Sequence, residues 1–401
     1  MFNSLKFKVI LFGFIFTFFS SFGQSYFLGL FNSSIREALS ITHGQFGSIY
    51  ASATLCSSLL LIWVGKKIDD VNIFKFAFFV TVLLSFACFF FSRITSVFLL
   101  FVAIFLMRFS GQGMMSHTAS TTISRYFTRT RGKALSISWF GLSSAEFIMP
   151  VLMVYLLTII DWQNLWLIFS ITVLIVLPIA SFLLIKNLNL DSREANDENI
   201  KEVEIKQWKR IEVIKDYRFY IISSNMLAMP WIFTGFAVFQ SFVQTSKGWG
   251  PYVIAQSFMS YSILSVLTLF LSGFLIDKFT SRKLLIYMNI PLLLSVIVLF
   301  FFDTPVTAFV FLGLVGISNG FANILGSSTW AELYGVKYLG SIKALTTALM
   351  VFATAFGTAL FGYLIDIGFT VGDIATVSGI YIFISLIFLF FVRKKLNPVI
   401  I

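Results

Sequence analysis

The chain has 401 residues, of which 58% are hydrophobic and only 12% charged, and its mean hydropathy is +0.91. This composition excludes a soluble domain, because too little polar sequence is present to cover a core of that size. The net charge of +11 would suit a nucleic-acid partner, but the placement of the basic residues along the chain argues against one. The composition predicts a helical membrane protein with many spans.

Apolar runs long enough to cross roughly 30 Å of hydrocarbon recur along the whole chain. We number the predicted membrane helices 1 to 12. They form two groups, residues 1–185 and 218–401, separated by a charged stretch at 186–217 that predicts a cytoplasmic linker with an amphipathic helix near 203–213. The predicted fold class is an all-α membrane protein with twelve transmembrane helices in two six-helix bundles. The predicted helices are 9–31, 45–64, 76–92, 97–119, 134–159, 163–185, 218–244, 251–276, 284–302, 306–329, 344–366 and 374–392.

The basic residues are strongly biased to one side of this topology. Of the 29 Lys and Arg residues, only Arg36, Arg93 and Lys247 fall on the other side, and Arg108 falls within the membrane. Basic residues concentrate on the cytoplasmic side of membrane proteins, so both termini are predicted to be cytoplasmic, in a bacterial inner membrane. The positive charge thus has a topological explanation, and no nucleic-acid partner is expected. The stretch between helices 1 and 2, which contains Arg36, is expected to be an external loop.

The two halves of the chain share local sequence patterns. Gly65-x-x-x-Asp69 follows helix 2, and Gly273-x-x-x-Asp277 follows helix 8 at the equivalent place. Lys-Ala-Leu followed by Ser or Thr opens both helix 5 and helix 11. These matches predict a duplicated six-helix unit, an architecture of transporters in which the site lies between the repeats near the midplane.

The same patterns resemble the major facilitator superfamily over essentially the whole chain. Arg108-Phe-Ser-Gly111-Gln-Gly113 is similar to the fourth-helix motif of that superfamily. The resemblance implies a secondary transporter that moves a small solute by alternating access. The Gly-x-x-x-Asp stretches correspond to the superfamily's loop motif. The second-half copy matches this motif well, whereas the first copy has Asp70 and Asn72 where a basic residue and a glycine are usual. The resemblance assigns to the gating loops Gly65, Asp69, Gly273, Asp277, Lys278 and Arg282.

Within the superfamily, Arg131–Ala134 and Glu332–Gly335 look most like the monocarboxylate and oxalate–formate transporter branches. This resemblance implies a monocarboxylate or a similar small organic anion as substrate. Helix 8 lacks the basic residue expected in those branches, and helix 11 has Lys343 only at its cytoplasmic mouth, which argues against a dicarboxylate. Ala145 and Glu146 replace the Gly-Pro pair of the superfamily's fifth-helix antiporter motif, so uptake is favoured over export.

Two ionisable residues lie deep in otherwise apolar sequence, Arg108 in helix 4 and Glu146 in helix 5. At a rise of about 1.5 Å per residue, each lies about 16–18 Å from the start of its helix, near the centre of the bilayer. Charges at that depth are costly and are functional hypotheses by default. A direct or water-bridged pair is expected, because pairing offsets part of the cost. Either this pair only locks helix 4 to helix 5, or Arg108 attracts an anionic substrate group while Glu146 takes up a proton.

Polar and aromatic residues near mid-depth complete the predicted substrate site. Gln112 lies one turn from Arg108 on the same helix face, and Trp139 shares the face of Glu146. His117 is expected to face away from Arg108. For each candidate in the second half, packing or an interhelical hydrogen bond explains the residue as well as ligand contact does. The further candidates are Gln24, Tyr26, Trp231, Gln240, Tyr261, Asn319 and Asn323.

The sequence thus predicts a proton-coupled transporter of a small organic anion, working as a monomer in the lipid bilayer with substrate and protons as partners. Two alternatives stay open: an exporter of amphiphilic compounds with the same fold, and a transporter-like receptor that does not transport. The sequence contains no nucleophile–base set, metal-ligand cluster or phosphate-binding loop. Enzyme activity, a metal or another cofactor is therefore not expected.

Overall fold

The structure is a computed structural model that describes residues 5–127, 131–186, 206–335 and 337–398. This part of the chain contains helices and turns but no strand. It includes 12 helices that are long and apolar enough to cross a membrane, which confirms the predicted fold class. We keep the numbers 1 to 12 for them. The helices are Leu5–Gly29, His43–Ile68, Ile73–Phe91, Val97–Tyr126, Gly132–Leu156, Trp162–Ile185, Tyr217–Val238, Val253–Ile276, Ser281–Phe301, Pro305–Tyr334, Leu339–Asp366 and Val371–Lys395.

The chain forms two compact units, Met1–Asn199 and Ile200–Ile401, which we call unit 1 and unit 2. Helices 1 to 6 belong to unit 1 and helices 7 to 12 to unit 2. Residues 187–205 of the predicted linker lie outside the described residues. Of the amphipathic helix expected near 203–213, the structure describes a short helix at Arg210–Lys215.

Several helices begin where the sequence supplies a side chain that caps free backbone N–H groups. Helix 2 begins after Thr42, which forms a reciprocal pair of hydrogen bonds with Gln45. Asn72 accepts from two N–H groups at the start of helix 3. Thr370 and Asp373 repeat the reciprocal arrangement at the start of helix 12. The polar residues between apolar runs therefore set these helix starts.

The stretch between helices 1 and 2 is expected to be an external loop, but part of it, Asn32–Leu39, forms a helix. Its Ile35 is buried, and Arg36 Nε donates to Asn32 Oδ1 at 2.7 Å one turn earlier. An amphipathic segment of this kind gains stability by burying its apolar face. Helix 4 also runs to Tyr126, well beyond its predicted end at 119, and so shortens the basic turn before helix 5.

Helices 1 and 4 are both irregular where they meet. Helix 1 is α-helical from Leu5–Ser20, continues as a 3₁₀ turn over Ser21–Gly23, and resumes at Ser25 after an extended Gln24 with φ −81° and ψ 150°. Helix 4 is π-helical over Arg108–Met115. A Cβ atom on Gly23 would collide with the main chain of helix 4, so only glycine permits this approach.

Part of the predicted linker packs on unit 2. Trp208 N donates to Tyr334 O at 2.9 Å, and the two rings pack edge to face. Asp216 caps helix 7 through Arg218 N and forms a buried ion pair with the Arg218 guanidinium at 2.8 Å. The Tyr334 hydroxyl donates to the same carboxylate at 3.2 Å. These contacts fix the start of helix 7 to the end of helix 10.

Candidate functional site

Arg108 is the buried cation of unit 1, with 3% of its surface exposed. Its Nη1 donates to Gly23 O at 3.0 Å and to Ser25 Oγ at 3.2 Å. The interruption of helix 1 leaves the Gly23 carbonyl available for this bond, because the extended Gln24 breaks the helical ladder. The arginine therefore meets the irregular part of helix 1 rather than a carboxylate.

A tyrosine from helix 2 completes the surroundings of the guanidinium. Tyr50 is 1% exposed, and its hydroxyl donates to Ser25 Oγ at 3.0 Å. Its ring centroid lies 5.4 Å from Cζ of Arg108, within the range of a cation–π contact. Gly23, Ser25 and Tyr50 thus stabilise the Arg108 guanidinium through a carbonyl group, a hydroxyl group and an aromatic ring. None of these three neighbours carries a charge that neutralises it.

Glu146 of helix 5 is 8% exposed and does not pair with Arg108: no salt bridge joins the two within the described residues. The expected direct pair is therefore absent from the structure. The reason is helix 1, which packs against both other helices: a Cβ on Gly23 would strike helix 4, and one on Gly141 would strike Phe14 O of helix 1. Glu146 lies instead near the buried hydroxyl of Tyr26, in the resumed part of helix 1.

The other predicted residues of unit 1 differ in burial. Tyr26 is 2% exposed, whereas Gln24, Gln112 and Trp139 are half-buried. Gln24 lies in the interruption of helix 1, and the backbone of Gln112 lies in the π-helical segment against Gly23. The structure thus brings Gln24, Tyr26 and Gln112 to the same irregular region as Arg108.

In unit 2, two of the predicted residues are packed by aromatic neighbours. Trp231 makes edge-on contacts with Phe361 and Tyr381, with ring centroids 6.1 and 5.2 Å away. Tyr261 stacks on Phe233 at 4.9 Å. These contacts support the alternative that both residues serve packing.

The polar predicted residues of unit 2 either make hydrogen bonds within the unit or are exposed. Gln240 donates through Nε2 to Ala237 O at 2.9 Å, and Asn319 Nδ2 donates to Ser265 Oγ at 2.9 Å between helices 10 and 8. The side chain of Asn323 is exposed. Gln240 also borders a small, largely apolar cavity of about 20 Å³, room for one water molecule.

Residues 13–358 match the sequence profile of the Major Facilitator Superfamily. The chain belongs to that superfamily. Its fold is similar to that of a bacterial homolog of the human lysosomal transporter Spinster, with TM-score 0.74, 14% identity and 98% of each chain covered. It is also similar to the nucleoside transporter NupG, with TM-score 0.69, 15% identity and coverage of 98% of this chain and 99% of that one. No curated protein sequence matches the chain.

Membership of the Major Facilitator Superfamily points to a secondary transporter of small solutes in a membrane rather than to an enzyme. The monocarboxylate and oxalate–formate branches are a finer prediction that these matches do not test. Within the described residues, no group of three or more His, Cys, Asp or Glu side chains is placed to hold a metal ion.

The first copy of the superfamily's loop motif is attached to helix 4 by two side chains. Nε2 of His117 lies 3.0 Å from Gly65 O, and Arg125 Nη1 donates to Ile68 O at 3.0 Å. His117, which is predicted to face away from Arg108, has this partner in the loop. The side chain of Asp69 lies outside the described part of the structure.

The second copy of the loop motif is tied to helix 10 and to the end of the chain. Ser281 N and Arg282 N donate to the Glu332 carboxylate at 2.8 and 3.4 Å, where a negative charge suits the start of helix 9. Arg282 Nη1 also donates to Asn397 Oδ1 at 2.8 Å. Lys278 lies over the ring of Phe279. A Cβ on Gly273 would meet nothing within 4 Å, and the Asp277 side chain is outside the described part.

Two residues that contact Arg108 are not among the predicted site residues. Ser25 lies between two predicted residues, Gln24 and Tyr26, but serine is common in membrane helices and its presence alone indicates no site. Tyr50 is an isolated tyrosine in helix 2, and nothing in its local pattern distinguishes it from a packing residue. Only the packing of helices 1, 2 and 4 brings both to the guanidinium.

Proposed function

We propose that this transporter moves a small organic anion, with monocarboxylates as the substrate class, and that Arg108 holds the carboxylate. The observation that carries this proposal is a 3%-exposed guanidinium without a carboxylate partner in the described part of the chain. Dipoles from Gly23 and Ser25 stabilise its charge but do not cancel it. An anionic ligand would do so, and a carboxylate matches the planar fork of arginine.

The number of cations deep within the membrane helices favours a substrate with one carboxylate over a substrate with two. Charged residues of the membrane helices in unit 2 lie near the helix ends, and Lys343 is the fifth residue of helix 11. A dicarboxylate would need a second cation to offset the desolvation of its second charge. Arg108 alone supports a substrate with a single carboxylate.

Glu146 is proposed to couple transport to protons. In the described part of the chain no salt bridge reaches its buried carboxyl group, which lies near Tyr26 of helix 1, the helix whose backbone accepts from Arg108. An ionised Glu146 would repel an incoming anion, whereas a protonated Glu146 would not. Binding of the anion and uptake of the proton would therefore favour each other, which is the thermodynamic requirement for symport.

The other predicted residues of unit 1 are proposed to support the site. Gln24, Tyr26, Gln112 and Trp139 would line the site around Arg108. The basic bias of the loops supports a bacterial inner membrane with both termini in the cytoplasm. The protein is proposed to work as a monomer.

The test of the anion site is a thermal-shift screen of the purified protein against small monocarboxylates, dicarboxylates and amino acids at constant ionic strength. We expect monocarboxylates to stabilise the wild type and to lose their effect in Arg108→Ala, with affinity lowered at least about 100-fold. Arg108→Lys should recover only part of the affinity, because it keeps the charge and loses the fork. Full transport by Arg108→Ala would contradict the proposal.

The test of proton coupling is uptake by protein reconstituted in vesicles. Glu146→Gln should lose accumulation driven by a pH gradient and keep counterflow exchange, because exchange requires no net proton movement. The control is Glu212→Gln, which changes an exposed carboxylate outside the membrane helices. An unchanged dependence of uptake on the pH gradient in Glu146→Gln would remove this residue from coupling.

The binding screen and the vesicle assay together separate the two alternatives from the proposed function. An exporter of amphiphilic compounds would bind bulky lipophiles whether or not Arg108 is present. A transporter-like receptor would bind a ligand without exchanging it across the vesicle membrane.

A further inference from the structure

Five exposed basic residues lie at the end of unit 2 where helix 7 begins and helix 12 ends. None of them forms a salt bridge within the described residues. The two carboxylates of residues 206–218 have other partners. Glu212 pairs with Lys206. Asp216 pairs with Arg218. The charge of the five residues is therefore not neutralised in the described part of the chain. We call these residues the basic surface: Arg210, Lys215, Arg393, Lys394 and Lys395.

The last described residues of the chain hold the two parts of the basic surface at the same end of unit 2. Arg218 Nη1 donates to Asn397 O at 2.9 Å, and Arg282 Nη1 donates to Leu396 O at 3.1 Å. Leu396 directly follows the basic end of helix 12, and its side chain is 1% exposed. It lies in the same buried cluster as Val213, which belongs to the short basic helix before helix 7. The charges are thus fixed before a ligand arrives, which lowers the entropy that binding costs.

Apolar and aromatic side chains are exposed next to these charges. Ile211, Tyr217 and Tyr220 are each more than half exposed, and so is Phe391 near the end of helix 12. The guanidinium of Arg393 lies over a second ring of that helix, with Cζ 3.8 Å from the ring centroid of Phe390. Tyrosines at the ends of membrane helices are typical of the level of the lipid headgroups, where basic side chains also place their charged ends. We therefore expect the basic surface to lie at the edge of the bilayer.

The combination of charge and exposed apolar surface decides between kinds of ligand. A cluster of four to eight Lys and Arg residues beside a membrane helix is typical of binding to anionic lipids. A phosphate group can accept hydrogen bonds from several of these side chains at once. A free anion would use the charges but would leave the tyrosines and phenylalanines unused. A phospholipid uses both, since its acyl chains can cover the apolar side chains.

We propose that the basic surface binds the headgroup of an anionic phospholipid, whose acyl chains lie against the exposed rings of Tyr217, Tyr220 and Phe391. The proposal goes beyond the proposed function, because it concerns neither the substrate nor the proton. It can hold or fail whatever Arg108 binds.

The test is a thermal-shift titration of the full-length protein in a neutral detergent. The probes are dioctanoyl phosphatidylglycerol, the phosphatidylcholine with the same acyl chains, and inorganic phosphate. One variant changes the end of helix 12 and combines Arg393→Gln, Lys394→Gln and Lys395→Gln. A second variant changes the short helix and combines Arg210→Gln with Lys215→Gln.

The matched control removes the same number of charges as the first variant, but from unit 1. It combines Lys66→Gln, Lys67→Gln and Lys75→Gln, which are three exposed lysines. Without lipid, the two variants of the basic surface should melt as the wild type does, because the changed side chains are exposed and form no salt bridge in the described structure.

We expect phosphatidylglycerol to raise the melting temperature of the wild type, and phosphatidylcholine and inorganic phosphate to leave it unchanged. A basic residue near an anionic lipid surface contributes about 5-fold to binding, so the triple variant should bind phosphatidylglycerol at least about 10-fold more weakly. The double variant should lose at least about 5-fold, and the control in unit 1 should bind as the wild type does. High salt should reduce the shift in the wild type, because exposed charges are screened.

Four outcomes would overturn the proposal. Wild-type affinity for phosphatidylglycerol in both variants would show that the basic surface is not the site. An equal loss in the control would show an effect of net charge alone, and an equal shift with phosphatidylcholine would show lipid binding without headgroup selection. A shift with inorganic phosphate that both variants lose would make the ligand a free anion.

A further variant tests whether the chain itself occupies the basic surface. Residues 187–205 of the predicted linker include six acidic and two basic residues, and this variant replaces the six acids with their amides. With a lipid on the basic surface, the wild type and this variant should both respond to phosphatidylglycerol. If only this variant responds, the linker binds there and the lipid proposal is wrong.

Discussion

Helices 1 and 7 are equivalent members of the two units, and both are interrupted, yet the free carbonyl groups are satisfied differently. In helix 1 the Gly23 carbonyl accepts from Arg108, a cation on another helix. Helix 7 ends at Val238, and after Phe239 the chain continues as the short helix Gln240–Ser246, where the neutral amide of Gln240 donates to Ala237 O. The first interruption therefore contacts a cation, whereas the second is bridged by a neutral amide.

The same contrast extends to the buried ion pairs. The deep charges of unit 1, Arg108 and Glu146, are not paired with each other in the described structure. The buried pair of unit 2, Asp216 with Arg218, lies at the start of helix 7 and is saturated by further hydrogen bonds. Unpaired charge is available to a ligand, whereas saturated charge stabilises a fold. We therefore expect the two units to divide the roles, with ligand binding at the deep charges of unit 1 and structural stabilisation at the saturated pair of unit 2.

The largest expected effect on stability comes from breaking the saturated pair of unit 2. Asp216→Ala leaves Arg218 buried without its carboxylate and should destabilise the protein by about 3–5 kcal/mol. Glu212→Ala, which removes an exposed partner of Lys206, is the control and should leave the melting temperature unchanged. Thermal unfolding in detergent measures both. If Asp216→Ala instead weakened anion binding without lowering the melting temperature, the division of roles would be wrong.

A smaller effect is expected where helices 1 and 4 touch. Gly23→Ala places a Cβ against the main-chain atoms of Met107 and Gln112, which cannot move aside as a side chain would. We expect a loss of about 1–3 kcal/mol, the range for overpacking, together with weaker binding at Arg108. Gly273→Ala is the matched control, because its Cβ would enter open space, and alanine is the better helix former there. Equal melting temperatures for the two variants would show that the approach is not constrained.

The smallest effect is expected at the interruption of helix 7. Gln240→Leu removes the bond to Ala237 O and should cost about 1 kcal/mol, typical of a neutral hydrogen bond. Monocarboxylate binding should not change, because no charge is lost. A large loss of anion binding in Gln240→Leu would mean that the second interruption is also part of the substrate site, and the contrast between the units would fail.

Much of the fold follows from the sequence because it depends on local properties. The twelve spans can be recognised from run length alone, and Thr42, Asn72 and Thr370 start helices through side chains a few residues from the groups they cap. The helix at Asn32–Leu39 was missed because a short polar segment forms a helix only when Ile35 has a surface to pack on.

The candidate site follows from the sequence only in part. Arg108 and Glu146 stand out because ionisable residues are rare in apolar runs. Their positions on consecutive helices predict a direct or water-bridged pair. The direct pair is absent from the described structure, where helix 1 brings Gly23 and Ser25 to Arg108 instead. Trp231 and Tyr261 could not be separated from ligand-binding aromatics until their ring neighbours were known.

The membrane class, the number of spans, the bias of basic loops and the identity of the two deep charges can all be read from the sequence, since each depends on composition within one segment. What those charges contact depends on the packing between helices. The extended Gln24, the π-helical turn at Arg108 and the bare backbone of Gly23 are tolerated only because they are packed together. The partners of a buried charge are chosen by such non-local packing, and no periodicity along the chain encodes them.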